Sequence, residues 1–377
     1  MDWSNVEREF ASAVEHGAIP GATLVVRVGD AVAFEGAFGF RANVPERQPM
    51  KIDTVFDLSS LTKPLATTIA VMMMARDGKL KLDDRVTRFF HNFGVHGKGH
   101  ITFRHLLAHC SGLAAWRPFY NEIAEIERGG KVNFMASRGA KEHVFEQIHR
   151  EKPEAPPGAK TIYSDLNFML LGEAVEQVSA AALDRFCREK IYRPLGLRSI
   201  DFIDISMVRT RRLEPVAEMF APTGVCPSRK RLLVGEVDDE NAYAMGGVAG
   251  HAGLFAPVRE VDRIARELIA CWHGRSELIP QKVVREFWTR DPAVAGSTWA
   301  LGWDTPTPDH SSSGRYFSPA AVGHLGFTGT SIWIEPEKEI AVTLLTNRVH
   351  PRRDNQAIRD LRPKVHDLIM EALGVGA

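Results

Sequence analysis

The sequence predicts an α/β (α+β) chain in which an antiparallel sheet, flanked by terminal helices, is interrupted by an inserted all-helical domain. Three observations predict it. Strand-like runs occur near both ends of the 377 residues, helical periodicity fills the middle, and a two-residue loop, Gly29-Asp30, separates two β-rich runs near the start. Two-residue loops of this kind close hairpins. The expected division is a discontinuous α/β domain over 1–75 and 245–377, with a mainly helical domain over 76–244. At about 150 residues per domain, the length suits such a two-part fold.

Taken in order, residues 6–16 read as an amphipathic helix with Val6, Phe10 and Val14 on one face, ended by Gly17 and Pro20-Gly21. The hairpin follows, over residues 22–28 and 31–38. Residues 59–76 read as a helix stopped by Gly78. From 80 to 187 the pattern is helical with long links. The Pro-rich stretch 154–158 is a loop, and helical spacing resumes over 163–178 through Leu166, Met169, Leu170 and Ala174. Residues 208–241 are charged and irregular, 246–253 are glycine-rich, and 258–271 form another amphipathic helix. Strand runs at 331–334 and 340–345 flank the turn signal 335–339, and a helix over 364–373 ends the chain.

Composition excludes several classes of function. Hydrophobic residues make up 44% and charged residues 25%, which is a globular balance. Lys plus Arg and Asp plus Glu are both 47, so no net charge draws the chain to nucleic acid or to anionic lipid. The four cysteines, Cys110, Cys187, Cys226 and Cys271, form no Cys-x-x-Cys pair, which argues against a disulfide framework and a zinc knuckle. There is no basic segment leading into an apolar core at the N-terminus, and no apolar run of the ~20 residues that a membrane span needs. The expected location is cytoplasmic, or periplasmic if a leader has been removed. Composition does not give the oligomeric state.

Three local patterns bear on chemistry. Ser60-Leu61-Thr62-Lys63 opens a helix, with Pro64 in the first turn, where its missing N–H does no harm. A three-residue offset puts both side chains on one helical face, within reach of each other. A serine hydroxyl is a poor nucleophile until a neighbouring base activates it, and the positive helix end favours the developing alkoxide. The same spacing also suits an N-cap serine followed by a solvated lysine. Tyr163-Ser164-Asp165 stands at a second helix start, where a tyrosine near cations can relay a proton; a half-buried tyrosine beside a cap reads equally well. Gly323-His324-Leu325-Gly326-Phe327 runs into a strand, where glycines admit a ligand to the backbone and an N–H can join an oxyanion hole. The plainer reading is a glycine-rich turn.

Together, the order and wide spacing of these patterns resemble the penicillin-recognising serine hydrolases: class C β-lactamases, low-molecular-weight penicillin-binding proteins and β-lactamase-like esterases. Residues 101–113, Ile-Thr-Phe-Arg-His-Leu-Leu-Ala-His-Cys-Ser-Gly-Leu, resemble a further segment of that superfamily, as do Pro20-Gly21-Ala22 and Gly253-Leu254-Phe255. The resemblance spans residues 6–372. It implies the β-lactamase-like fold, with the site between sheet and helical domain. It further implies Ser60 as nucleophile, Lys63 and Tyr163 as the proton carriers, and the Ser60 and Phe327 N–H groups as the oxyanion hole. Asp165, His324, Leu325, Gly326 and Asn347 are the implied substrate contacts.

Two departures from the superfamily pattern matter. Asp165 replaces an asparagine, and a carboxylate there favours the charged form of Lys63, so the burden of proton removal shifts to Tyr163. Asn167 is an alternative inward-facing amide at the wrong spacing. His324-Leu325 replaces Lys-Thr, which removes a carboxylate-binding pair. The substrate expected is therefore a small ester, amide or peptide, with esterase-like cleavage favoured over strong β-lactamase activity and with no cofactor. A D,D-peptidase, D-aminopeptidase or β-lactamase is the alternative within this chemistry. A non-catalytic scaffold is the alternative outside it. His105 and His109, four apart, have metal-pair spacing without the His-Glu-x-x-His form, and structural hydrogen bonding suits them better. The 246–253 stretch lacks the Lys-Ser or Lys-Thr of a phosphate loop and reads as a tight turn or a site-lining loop.

Overall fold

The computed structural model describes residues 1–375. Helix α1 (Ser4–Glu15) precedes the hairpin of β1 (Gly21–Val28) and β2 (Ala31–Ala42), with Gly29 in the left-handed region at φ +57°. A short β3 (Gln48–Pro49) adds an outer edge. The chain then enters α2 (Ile69–Arg76) and a long, mostly helical excursion that includes α3 (Asp165–Ser179). It returns through α4 (Val258–Trp272), β4 (Val322–Leu325), β5 (Ser331–Glu335) and β6 (Ile340–Thr346), and ends in α5 (Ile358–Ala372).

The six strands form one sheet in the order β3-β2-β1-β6-β5-β4, and every neighbouring pair is antiparallel. Ala22 lies opposite Thr346 and Val28 opposite Ile340, so the two ends of the chain meet at the centre of the sheet. The central strands are buried on both faces because both faces are covered. Ala22, Leu24, Val26, Val342 and Leu344 face α1 and α5, and Val25, Ala341 and Leu345 face the side on which α4 packs. This explains why β1 reads as a nearly continuous apolar run.

Several elements depart from the sequence expectation. Ala13, not Val14, joins Val6 and Phe10 in the buried stripe of α1. The single helix expected over 59–76 is three pieces: a 3₁₀ turn (Ser59–Leu61), a π-helical stretch (Lys63–Thr68) and α2. Pro64 cannot donate to the Ser60 carbonyl, so the regular bonding ladder cannot pass through this point. The last helix starts at Ile358, six residues earlier than expected. Pro363 lies inside it, where the sequence suggested a boundary.

Arg27 on β1 points away from the α1/α5 face and meets Asp262 of α4, with Nε to Oδ1 at 3.0 Å. Both side chains are about 5% exposed or less. Removing one partner leaves a buried, uncompensated charge, which costs about 3–5 kcal/mol. Asp262→Ala is therefore expected to lower the unfolding free energy by about that amount in urea titration. Replacing both Arg27 and Asp262 by apolar residues is expected to cost much less.

Candidate active site

Ser60 sits in its 3₁₀ turn directly after the short strand Phe56–Asp57. Two features set this turn. Ser59 takes a left-handed φ of +49°, and its N–H is held by Asp57 Oδ1 at 2.8 Å. One helical turn later, Lys63 is fully buried, and its ammonium meets three acceptors. Ser60 Oγ lies at 3.0 Å, the His251 carbonyl at 3.1 Å and Asp165 Oδ1 at 2.7 Å. Two of its protons go to Ser60 Oγ and the His251 carbonyl, and the Asp165 carboxylate pairs with its charge. Burial alone would push Lys63 down; the charges of Asp165 and Tyr163 outweigh it and raise the amine to about 12.

Tyr163 precedes α3, whose N-cap Ser164 accepts the Asn167 N–H. The Tyr163 segment lies along residues 109–115. The Ile162 N–H donates to the His109 carbonyl, Asp165 N–H to the Ala115 carbonyl, and Ser164 N–H to His109 Nδ1. The tyrosine ring packs between His109, at 4.6 Å between centroids, and Trp299, at 5.4 Å. The Lys63 ammonium lies 4.9 Å from the ring centroid, and Lys63 and Ser60 are both among the groups that act on its hydroxyl. Burial raises it above its ordinary value, and the Lys63 charge only partly offsets this.

His324 comes from β4. Its Nδ1 pairs with the Leu325 carbonyl at 2.9 Å, which leaves Nε2 buried with no protein partner among the described residues. Burial and the charge of Lys63 push His324 down to about 3, so it is neutral at pH 7. Gly326 has to be glycine here: a Cβ would meet Thr330 Oγ1 at 2.0 Å and the Leu58 carbonyl at 2.7 Å. The Phe327 N–H, expected as a free oxyanion donor, is instead given to Ser59 Oγ at 3.2 Å.

Ser60, Tyr163, His324, Leu325, Gly326 and Phe327 line one cavity of about 380 Å³, with Lys63 and Asp165 beneath it. Asn347 is not brought there. Its Oδ1 accepts the Gly21 N–H, and its Nδ2 donates to the carbonyls of Phe40 and Arg41, so it clamps β1 and β2 together. Its neighbour Arg348 reaches the cavity instead. Asn167 is buried against Ser111 at 2.6 Å and does not meet Lys63. Among the other histidines, His105 completes the cap of the helix Phe103–Leu107 through Thr102. No group of three or more His, Cys, Asp or Glu among the described residues is arranged to hold a metal ion.

Sequence reasoning missed part of the cavity wall. Arg348, Arg359 and Arg362 converge there with Trp299, Asp304 and Gln356. No carboxylate lies within ion-pairing distance of any of the three arginines among the described residues. Arg362 is buried, donates only to the carbonyls of Gly326 and Thr330, and keeps an unpartnered Nε. Burial and the charge of Arg348 push it down to about 9, still cationic at pH 7. Nothing local in the sequence shows that these residues turn toward Ser60.

A serine hydroxyl on a buried lysine, with a tyrosine beside them from the segment that leads into α3, is an arrangement suited to a serine hydrolase. Residues 6–366 match the Beta-lactamase family, and the chain belongs to it. It is 30% identical to an Escherichia coli (strain K12) protein named "Putative D-alanyl-D-alanine carboxypeptidase", over 92% of this chain and 82% of that one. Two solved structures share the fold. The octameric penicillin-binding protein homologue from Pyrococcus abyssi has a TM-score of 0.73 at 21% identity, covering 100% of this chain and 78% of that one. EstCE1, described as a hydrolase with promiscuous acyltransferase activity, has a TM-score of 0.71 at 22% identity, covering 96% and 98%. No helix of the described residues is long and apolar enough to cross a membrane.

Because Asp165 holds Lys63 in its charged form, Asp165→Asn is expected to lower the Lys63 pKa by about 1–2 units. If ester turnover requires a proton to leave the Ser60–Lys63–Tyr163 group, its rising pH limb moves toward lower pH in this variant. A kcat–pH profile on a neutral ester checks it; an unmoved limb counts against the coupling.

Proposed function

We propose that Ser60 is the nucleophile of an acyl-enzyme cycle, and that the preferred substrate is an ester or amide carrying a free carboxylate on its leaving part. The contact between Ser60 Oγ and the buried Lys63 ammonium at the cavity carries the first statement. In the acylation step Ser60 Oγ bonds to the carbonyl carbon while its proton passes to a Tyr163 phenolate. The Lys63 ammonium is the counter-charge of that phenolate. The oxyanion takes the Ser60 N–H, and the Phe327 N–H once Ser59 Oγ gives it up. As the bond to the leaving group breaks, Tyr163 returns the proton to it. Water then repeats the sequence on the acyl ester and frees Ser60. Burial makes the phenolate scarce, so turnover rises toward alkaline pH.

The arginine wall supports the second statement. The superfamily's Lys-Thr pair is His324-Leu325 here, which by itself favours neutral esters. Arg348, Arg359 and Arg362 offer a carboxylate another cationic surface in the same cavity. The name of the Escherichia coli relative supports a peptide ending in D-alanine as one such substrate.

Intact-mass analysis tests the nucleophile. A fluorophosphonate probe is expected to add once to the parent and not to Ser60→Ala; no adduct on the parent means a non-catalytic scaffold. p-Nitrophenyl butyrate is expected to be turned over faster than nitrocefin, and the reverse ratio argues for a β-lactamase. For the carboxylate, an acyl-D-alanyl-D-alanine is expected to exceed its C-terminal amide in kcat/KM by about 10–100-fold, the value of a charge-assisted hydrogen bond. Arg359→Gln, at an exposed position, is expected to narrow that gap mainly through KM. Equal rates for acid and amide in the parent remove the arginine wall from recognition.

A further inference from the structure

The third acceptor of Lys63 comes from the glycine-rich loop 246–253, and the way that loop is anchored suggests a role for two further residues. The loop is threaded tightly. A Cβ on Gly250 would meet the Phe168 carbonyl at 2.0 Å, and one on Gly253 would meet the Gly247 carbonyl at 2.1 Å. From it, the Thr67 hydroxyl takes the Gly250 carbonyl at 2.7 Å, and Lys63 takes the His251 carbonyl. The His251 imidazole is 1% exposed and pairs through Nε2 with Asp239 Oδ1 at 3.0 Å. Asp239 is fixed in turn, because the same oxygen caps the helix Glu240–Ala244 through the Ala242 N–H at 2.7 Å. The residue before it, Asp238, donates its N–H to Asp57 Oδ2, whose other oxygen holds the Ser59 N–H. Residues 238–239 therefore tie down the nucleophile turn through Asp57 and the lysine acceptor through His251.

We propose that Asp239 and His251 are positioning residues for Lys63. Their pair aims the His251 carbonyl at the ammonium, and the Asp239 charge adds to that of Asp165 in keeping Lys63 protonated. This rests on the assignment of Ser60 and Lys63 made above. Burial would raise Asp239; His251, the Ala242 N–H and the Lys63 charge hold it down to about 2 instead, so it carries its charge throughout the working range. The groups facing Lys63 are Asp165 and Tyr163 from the start of α3, His109 from the preceding segment, His324 from β4, and the Asp239–His251 pair. The pair lies outside the residues lining the cavity, so it acts on Lys63 and not on substrate.

The test uses the full chain and two readouts: the rate of fluorophosphonate addition at Ser60 as a function of pH, and kcat and KM for p-nitrophenyl butyrate. His251→Ala is expected to slow addition and kcat by about tenfold or more, with KM within about twofold. His251→Gln, whose amide can still reach Asp239, is expected to recover most of the loss. Asp239→Asn keeps the helix cap but loses the charge, and is expected to move the rising pH limb lower by about half a unit. A folded His251→Ala with the parental rate, or an unmoved limb in Asp239→Asn, overturns the proposal. Should His251→Ala not fold, the other two variants decide. A parent that is not labelled at Ser60 overturns the hydrolase assignment and this inference together; a labelled parent with unaffected variants overturns this inference alone.

Discussion

A buried ammonium is the constraint around which the site is organised. Lys63 has no solvent exposure, and an unpaired charge in that position would be prohibitively costly. Its charge is met by Ser60 from its own turn, Asp165 from the start of α3 and a carbonyl from the 246–253 loop. These three segments are far apart in the chain, so the cation can be satisfied only when the helical excursion and the sheet domain have come together. A requirement of stability thereby becomes a requirement of geometry: the arrangement that pays for the charge also places a hydroxyl on it.

The same charge shapes its neighbours. His324 and His109 are both buried near it and both held neutral, by burial first and by Lys63 second. A neutral His324 lines the cavity without adding to the positive field. The positive field comes from arginines instead, and Arg348 and Arg362 repel one another, with the Asp238 charge favouring the cation at Arg348. The cavity thus has an ammonium next to the nucleophile, aromatic rings, one carboxylate (Asp304) and three guanidinium groups, two of them held by backbone carbonyls. Such a distribution favours a substrate that develops negative charge at one end and already carries it at the other.

Much of this was legible from residue order. The hairpin at Gly29-Asp30, the amphipathic helices and the offset from Ser60 to Lys63 depend on local periodicity, and periodicity survives without neighbours. The weakening of Lys63 as a base by Asp165 was also legible, because it follows from the chemistry of a carboxylate once the two are assumed to meet. Asn347 was misread for a simple reason. In Asn347-Arg348 both side chains are polar, and only the exit path from β6 decides which one faces the cavity. The split of the 59–76 helix was hidden because the π-helical stretch depends on the long-range bonds of Thr62 and Thr67 to the 250–254 segment, as well as on Pro64.

What the sequence determined by itself was the class of chemistry and the elements that carry it, since these depend on residue types at short, fixed offsets. The tertiary structure decided which groups share a cavity and which protons each can hold. It turned Arg348, Arg359 and Arg362 toward Ser60, gave the Phe327 N–H to Ser59, and made a backbone carbonyl of residue 251 a partner of Lys63. Burial and electrostatic coupling are properties of positions in space, and residues separated by nearly 200 places in the chain acquire them only when the fold closes.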